Sequence, residues 1–427
     1  MLLALALVAL IVAGLPVGFA AGIVSALGAA QLFDGLLDPR SSAMIARLAL
    51  DKIDNFLLLS VPFFLLAGRL MNTGGITVRL FDFVAVVMRP FRGGLGHANV
   101  LGSVLFAGMS GSATADAMGL GMIETRAMVS HGYPREFAAG VTAASSLLSP
   151  VLPPSIALVA FAIMAEVSVG ALFLAAIVPG LMMAAGYMGY VAYRSRRAGY
   201  PSGPLASLGE IWRAFRASFW PLLTPVIIIG GINGGIFTPT EAAAVAAFYA
   251  IAIGAWVYRE LGWRQLVAEL RATMIDSAVV MMIIAFTSAL GVVMIRAQVP
   301  AQMAAGLTQL TSDPTAFLFL MIGFWMIVGL FMAQTPAILI LTPMLMPIAE
   351  QYGVSPVHFG VLMTVTLTLG LLTPPVGMVL YALVRVTGVR FERLALIALP
   401  YLAITLGIVA LLVLFPQLVL YLPSLFH

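Results

Sequence analysis

The chain has 427 residues, 62% of them hydrophobic and 9% charged, and a mean hydropathy of +1.09, too apolar for one water-facing globule to shield. Lipid is therefore the expected solvent. A formal charge of +4 has to be read by position rather than as a nucleic-acid footprint, and zero cysteines exclude disulfides, thiolate metal sites and thiol nucleophiles.

Along the chain, apolar runs at 1–33, 169–193, 221–232, 242–258 and 397–415 are long enough, alone or with a neighbour, to cross hydrocarbon, and they do not alternate as barrel strands do. The start at Met1 lacks a basic region and the apolar run continues past any cleavage point, so a retained helix is expected. Stretches 41–55 and 76–90 are amphipathic and expected at the interface, with Arg79, Arg89 and Arg92 at headgroup level. Next come two segments, 97–108 and 115–130, around the small-residue tip Gly108-Met109-Ser110-Gly111-Ser112-Ala113-Thr114-Ala115-Asp116. A similar pair, 317–332 and 337–348, surrounds Ala333-Gln334-Thr335-Pro336. Both read as re-entrant hairpins, because polar non-helical backbone at membrane depth survives only against protein or a wet cavity.

Pro-Pro occurs twice, at Pro153-Pro154 in SLLSPVLPPSIALV and at Pro374-Pro375 in LGLLTPPVGMVLY, 221 residues apart. Thr114 and Thr335, Gly132 and Gly353, Gly68 and Gly291, Asp54 and Asp276, and Pro16 and Pro239 follow in the same order at offsets of 221 to 223. Two repeats are expected: 1–198 (hairpin 97–131, broken helix 135–166) and 218–427 (hairpin 314–350, broken helix 356–386), joined by a cytoplasmic linker at 199–217. Crossings near 135–166, 168–193, 218–233, 238–258 and 276–295 separate the hairpin bases. An odd number makes the repeats inverted. Seventeen of the 21 basic residues then fall on one side, leaving Arg40, Arg47, Lys52 and Arg296 opposite, which puts the first hairpin base in the cytoplasm.

The tips are where chemistry is expected. Ser110, Ser112 and Thr114, completed by Ser149, Pro150 and Val151 of the broken span, offer the hydroxyl and carbonyl oxygens that suit sodium. Gln334, Thr335, Gly370 and Thr373 form the matching second set. Gly111, Asp116, Ser145, Pro153, Pro154, Pro336, Pro374 and Pro375 are candidates for substrate contact or for support behind the ions. The competing reading is that these small residues merely let helices approach closely. Asp116 reads equally as a hairpin cap or a supporting carboxylate, whereas Glu241 reads as the cap of the helix after Thr238-Pro239-Thr240. The 24 methionines read as packing. Gly108-Met109-Ser110-Gly111 also fits the GxSG setting of an intramembrane serine hydrolase. The only histidines, His97, His131, His358 and His427, lie at predicted helix ends or the terminus, where a general base is not expected.

Taken in order, GMSGSATADAMGLG, SPVLPPSIALV, NGGIFTPTEAAAVAAFYA, AQTPAILILTPMLMPIAE and LGLLTPPVGM resemble the large subunit of tripartite ATP-independent periplasmic (TRAP) transporters over essentially the whole chain. The resemblance implies an all-α polytopic protein of the bacterial inner membrane, with scaffold and transport domains and an elevator-type mechanism. It further implies sodium coupling, an organic anion such as a dicarboxylate or sialic acid, a periplasmic substrate-binding protein that delivers it, and a separate small membrane subunit. The other function classes are a stand-alone proton-coupled carrier and the intramembrane hydrolase. No arginine falls inside the expected transport domain to clamp a carboxylate, so hydroxyls and backbone NH groups are expected to hold the anion.

Overall fold

The computed structural model describes residues 2–32, 38–200 and 202–426. The end residues of the expected 1–33 run, and His427, lie outside them. Every regular element among the described residues is helical.

A helical pair, α1 (Leu2–Val12) and α2 (Val17–Leu32), leads to the amphipathic α3 (Pro39–Ile53) and, after a 3-10 turn at Phe56–Leu59, to α4 (Ser60–Thr73) and α5 (Ile76–Met88). The first hairpin is α6 (Gly94–Ser110) returning through α7 (Ala113–Met118) and α8 (Leu120–Ser130). Next, α9 (Arg135–Ser146) and α10 (Ile156–Ala165) flank an irregular break, and α11 (Val169–Ala198) closes the half. The order then runs again: α12 (Leu208–Asn233), α13 (Pro239–Ala252) with a π turn at Ile253–Val257, α14 (Trp263–Arg296) and α15 (Val299–Leu310). A second hairpin, α16 (Pro314–Phe331) and α17 (Gln334–Gln351), precedes a second broken helix. That helix is α18 (Pro356–Leu369), a 3-10 turn at Gly370–Leu372 and α19 (Met378–Thr387), followed by α20 (Phe391–Leu414) and α21 (Gln417–Phe426). Passages α9–α10, α11, α12, α13 and α14 lie between the hairpin bases, so the hairpins open to opposite faces and the repeats are inverted.

Helix boundaries follow the chain's capping chemistry. Thr238 Oγ1 accepts from Glu241 N at 3.3 Å while Glu241 Oε2 accepts from Thr238 N at 2.7 Å, a reciprocal box that starts α13. Ser207 and Glu210 make the same box for α12. Helix therefore begins at Leu208, and the second part of the expected 199–217 linker is its first turns. The remaining linker is tied to the end of α5, with Gly203 N donating to Arg89 O at 2.9 Å and Arg89 Nη2 to Glu210 at 2.9 Å.

Two further features depart from the sequence reading. The crossing expected at 276–295 begins earlier, because nothing between Trp263 and Arg296 breaks the helix; α14 runs for 34 residues, well beyond the ~20 that span hydrocarbon. The final span is followed by a break at Phe415–Pro416 and a separate α21. Seven helices among the described residues are long and apolar enough to cross a membrane, the hairpin arm α16 included. For α16, length alone would suggest a crossing, but its chain reverses at Met332–Ala333 and returns as α17.

The two halves interlock. Hairpin helix α7 packs on α19 of the other half's broken helix, and hairpin helix α17 packs on α10 of the first. α14 runs against α2, α3 and α4 on one side and α17 on the other.

The arginine distribution and the crossing count place the exposed residues Ser202 and Ser312 on opposite faces. Because the chain contains no cysteine, single Ser202→Cys and Ser312→Cys variants can be labelled without background. An impermeant maleimide applied from one face should modify one and spare the other; labelling of both from the same face would remove the inverted arrangement.

Candidate functional site

The tip of the first hairpin is shaped by one glycine and one serine. Gly111 adopts φ +62°, the left-handed conformation that reverses the chain, and Ser112 Oγ caps α7 by accepting from Ala115 N at 3.5 Å. A Cβ on Gly111 would lie 2.8 Å from Pro154 O, so the tip rests on the first Pro-Pro segment. Ser110 Oγ lies 3.3 Å from Ser112 N, and the Ser112 and Thr114 hydroxyls are 3.2 Å apart. Across the scaffold side, a Cβ on Gly68 of α4 would meet Ser110 Cα at 3.0 Å.

In the first break, prolines 150, 153 and 154 cannot donate to a helical ladder, and the chain runs irregularly until Ser155 caps α10 through Leu158 N at 3.2 Å. Ser155 Oγ also donates to Pro150 O at 2.5 Å. Ser149, Pro150, Val151, Pro153 and Pro154 are all buried. The second break is built from the same residue types but sits differently: Thr373 is half-buried, Pro374 and Pro375 are exposed, and Gly377 at φ +42° leads into α19. Both Pro-Pro bonds are cis.

One cavity of about 370 Å³ brings most of these parts together. Gly111, Ser112 and Thr114 of the first tip face Gln334, Thr335 and Pro336 of the second across it, with Pro150, Ile156 and Ala157 from the first break and Leu371 and Met378 from the second. The N-terminal turns of α7, α10, α17 and α19 therefore converge on this space. Leu65 of α4 and Asp276, Val279 and Val280 of α14 close it. Free backbone NH groups and the positive ends of helix dipoles make such a cluster receptive to an anion.

Other expected site residues do not line the cavity. Ser145 Oγ donates to Asn99 Oδ1 at 2.6 Å inside the hairpin, and Ser149 Oγ donates to Asp116 Oδ2 at 2.7 Å. Asp116 is 1% exposed; since Ser112 is the cap, its carboxylate serves instead as a strut joining hairpin to break. Gly370 meets Gly329 of arm α16 rather than the second tip: a Cβ there would fall 2.2 Å from Gly329 O. Thr373 Oγ1 donates to Leu369 O at 2.7 Å; Gln334, which does line the cavity, donates Nε2 to Thr364 O at 3.0 Å. Ser110 Oγ has its hydrogen-bond contacts within the tip, with Ser112 alone, and no histidine among the described residues bonds to it.

Sequence reasoning passed over an ion-pair cluster beside the site and a buried amide behind it. Arg69 of α4 pairs with Asp276 and, at 3.4 Å, with Glu269, which also accepts from Thr73 at 2.7 Å. This cluster lines a second cavity of about 410 Å³ that shares Leu65, Ser112, Thr114 and Asp276 with the first. Asp276 had signalled only as the repeat mate of Asp54. Asn99, a lone amide in an apolar hairpin arm, donates to Thr142 Oγ1 at 2.7 Å and ties α6 to α9.

The strut has a measurable consequence. Ser149→Ala leaves the buried Asp116 carboxyl without its donor and should destabilise the chain by about 1–3 kcal/mol, read as a lower unfolding temperature in detergent. Combined with Asp116→Asn the loss should be clearly less than additive. Strict additivity would show that the two side chains do not act together.

Residues 4–418 match the family described as Tripartite ATP-independent periplasmic transporter, DctM component. The chain is 41% identical over 417 residues to the Sialic acid TRAP transporter large permease protein SiaM of Vibrio cholerae, covering 98% of this chain and 96% of that protein. To the C4-dicarboxylate TRAP transporter large permease protein DctM of Pseudomonas aeruginosa it is 38% identical over 389 residues, 91% of each chain. The crystal structure of the Alcanivorax borkumensis YdaH transporter, described as having an unusual topology, superposes with a TM-score of 0.67 at 15% identity over 93% of this chain and 95% of that one. That last likeness is one of fold.

Proposed function

The chain belongs to the DctM component of the tripartite ATP-independent periplasmic transporters, and from that premise we propose that it imports an organic anion coupled to sodium. Membership makes it a large permease subunit, a multi-pass protein of the bacterial inner membrane that moves a solute rather than transforming it.

One observation carries the anion reading: four helix N-termini, two from each repeat, meet at the cavity between the hairpin tips. Relatives named for sialic acid and for C4-dicarboxylates match 98% and 91% of this chain, which fits a carboxylate as cargo. Sodium is assigned to the oxygen-rich tips beside the anion. Ser110, Ser112 and Thr114 with the Ser149–Val151 segment form one site, and Gln334 and Thr335 with Gly370 and Thr373 the other. Each hydroxyl now bonded internally becomes a ligand when the ion replaces its partner. Loading both ions draws tips and breaks together around the anion, so anion and sodium each raise the other's affinity by the same factor.

In this reading the hairpins and broken helices move as one body against a scaffold of α1–α5 and α12–α15. The second cavity, lined by Arg69 and Glu269 on the side the arginines mark as cytoplasmic, is the exit that continues from the anion site. A periplasmic binding protein delivers the anion, and a small membrane subunit completes the scaffold.

Uptake should be assayed in proteoliposomes holding both membrane subunits with the binding protein outside. An inward sodium gradient should drive accumulation, and the chain reconstituted alone should not transport. Ser112→Ala and Thr373→Val should raise the sodium concentration for half-maximal uptake with little change in unfolding temperature. Equal uptake driven by a proton gradient without sodium would sink the sodium assignment.

A further inference from the structure

Where the first hairpin ends, a cavity of about 530 Å³ opens between three helix ends. Arg126 and Ser130 of α8 line one side, Arg135, the first residue of α9, a second, and Thr387 and Gly388 at the end of α19 the third. It shares no lining residue with the cavity between the hairpin tips, and nothing in the anion and sodium reading uses it. Gly388, at φ +69°, ends α19, and a Cβ there would lie 3.9 Å from Arg135 Nη1, so the guanidinium stands beside the helix end.

Neither guanidinium has an ion pair or hydrogen-bond partner among the described residues. Arginines at other seams on this face are matched: Arg69 with Glu269 and Asp276, Arg79 with Glu260, and Arg89 with Glu210. The acid next to Arg135, Glu136, instead receives Arg393 through two bonds of 3.1 and 3.0 Å, and sequence neighbours on a helix do not face each other. Segments 125–136 and 385–393 together hold Arg126, Arg135, Arg385, Arg390 and Arg393 against only Glu136 and Glu392. Pro134, the residue before α9, has no side-chain oxygen to offer the amides of the first turn. Donors without acceptors therefore surround a space large enough for a small anion.

The arrangement also selects the anion. A carboxylate is satisfied by one guanidinium fork, whereas forks on two different helices call for oxygens on more than one side, which a phosphate group presents. We propose that this cavity binds a phosphate group, carried by an anionic phospholipid or free in solution, which bridges Arg126 and Arg135 and ties α8 and α9 of the first repeat to α19 of the second. Both sources can reach it, because the cavity lies at the helix ends that the arginine distribution marks as cytoplasmic.

The absence of cysteine allows a local probe. Ser130→Cys places a thiol on the exposed wall of the cavity, and Ala198→Cys, exposed at the end of α11 on the same face, registers any general effect of added charge on thiol reactivity. Maleimide labelling of the full-length chain is timed in dodecyl maltoside alone, with phosphatidylglycerol, with phosphatidylcholine, and with inorganic phosphate against chloride at equal ionic strength. Labelling at position 130 should slow several-fold relative to position 198. Slowing by phosphatidylglycerol but not by inorganic phosphate identifies the lipid as the source, and slowing by inorganic phosphate identifies the free anion. Arg126→Gln combined with Arg135→Gln should abolish the effect without lowering the unfolding temperature, since both side chains are exposed. The proposal is overturned by no slowing in any arm, by equal slowing with chloride, with phosphatidylcholine or at position 198, or by slowing that survives the loss of both arginines. Uptake is not the readout, so failure of the sodium assignment and failure of this one are separable.

Discussion

A backbone in hydrocarbon has no water to fall back on, and that single constraint organises this molecule. Helices are broken twice at hairpin tips and twice at Pro-Pro segments. Each break leaves amide and carbonyl groups that need partners. The chain meets the requirement by bringing the breaks and hairpins to each other: the first tip rests on Pro154, Ser149 of the first break donates to Asp116 of the hairpin, Ser155 donates back to Pro150 O, and Gln334 reaches the carbonyl of Thr364. Polar groups of both tips face one shared cavity. On the proposed function, the binding site is the by-product of satisfying interrupted backbone in lipid, and a preference for anions follows from the helix ends that face inward.

Repetition does not bring equivalence. The first Pro-Pro segment is entirely buried, while Pro374 and Pro375 of the second are exposed. The Gly111 contact joins hairpin tip to break in the first half, whereas in the second the close approach, Gly329 to Gly370, joins hairpin arm to break. Two halves with the same element order therefore present different surfaces to the scaffold. An inverted pair needs this inequality, since a molecule symmetric in every contact would have no side on which to be open.

Much of the architecture was legible because its signals are local. Doubled prolines, a Ser-Gly-Ser tip and a Thr-Pro-Thr-Glu start each announce themselves within a few residues, and the helices end where those residues dictate. Continuous helix across Trp263–Arg296 was less visible, because polar residues in its first turns imitate a boundary that no Gly or Pro enforces. The polar partners were hidden for another reason. Asn99 with Ser145, Asp116 with Ser149 and Arg69 with Asp276 join residues 46, 33 and 207 positions apart, and no spacing rule specifies such pairs before the helices are placed.

Gly68 has a bearing on speed. It sits on α4 where the scaffold touches the first hairpin tip, and an added methyl would come within 3.0 Å of the Ser110 backbone. At this seam the opposing surfaces are nearly bare main chain, with no knob to lift over a ridge when one body slides past the other. In the sliding motion proposed above, a seam without side chains would lower the barrier between end states more than it would change the stability of either.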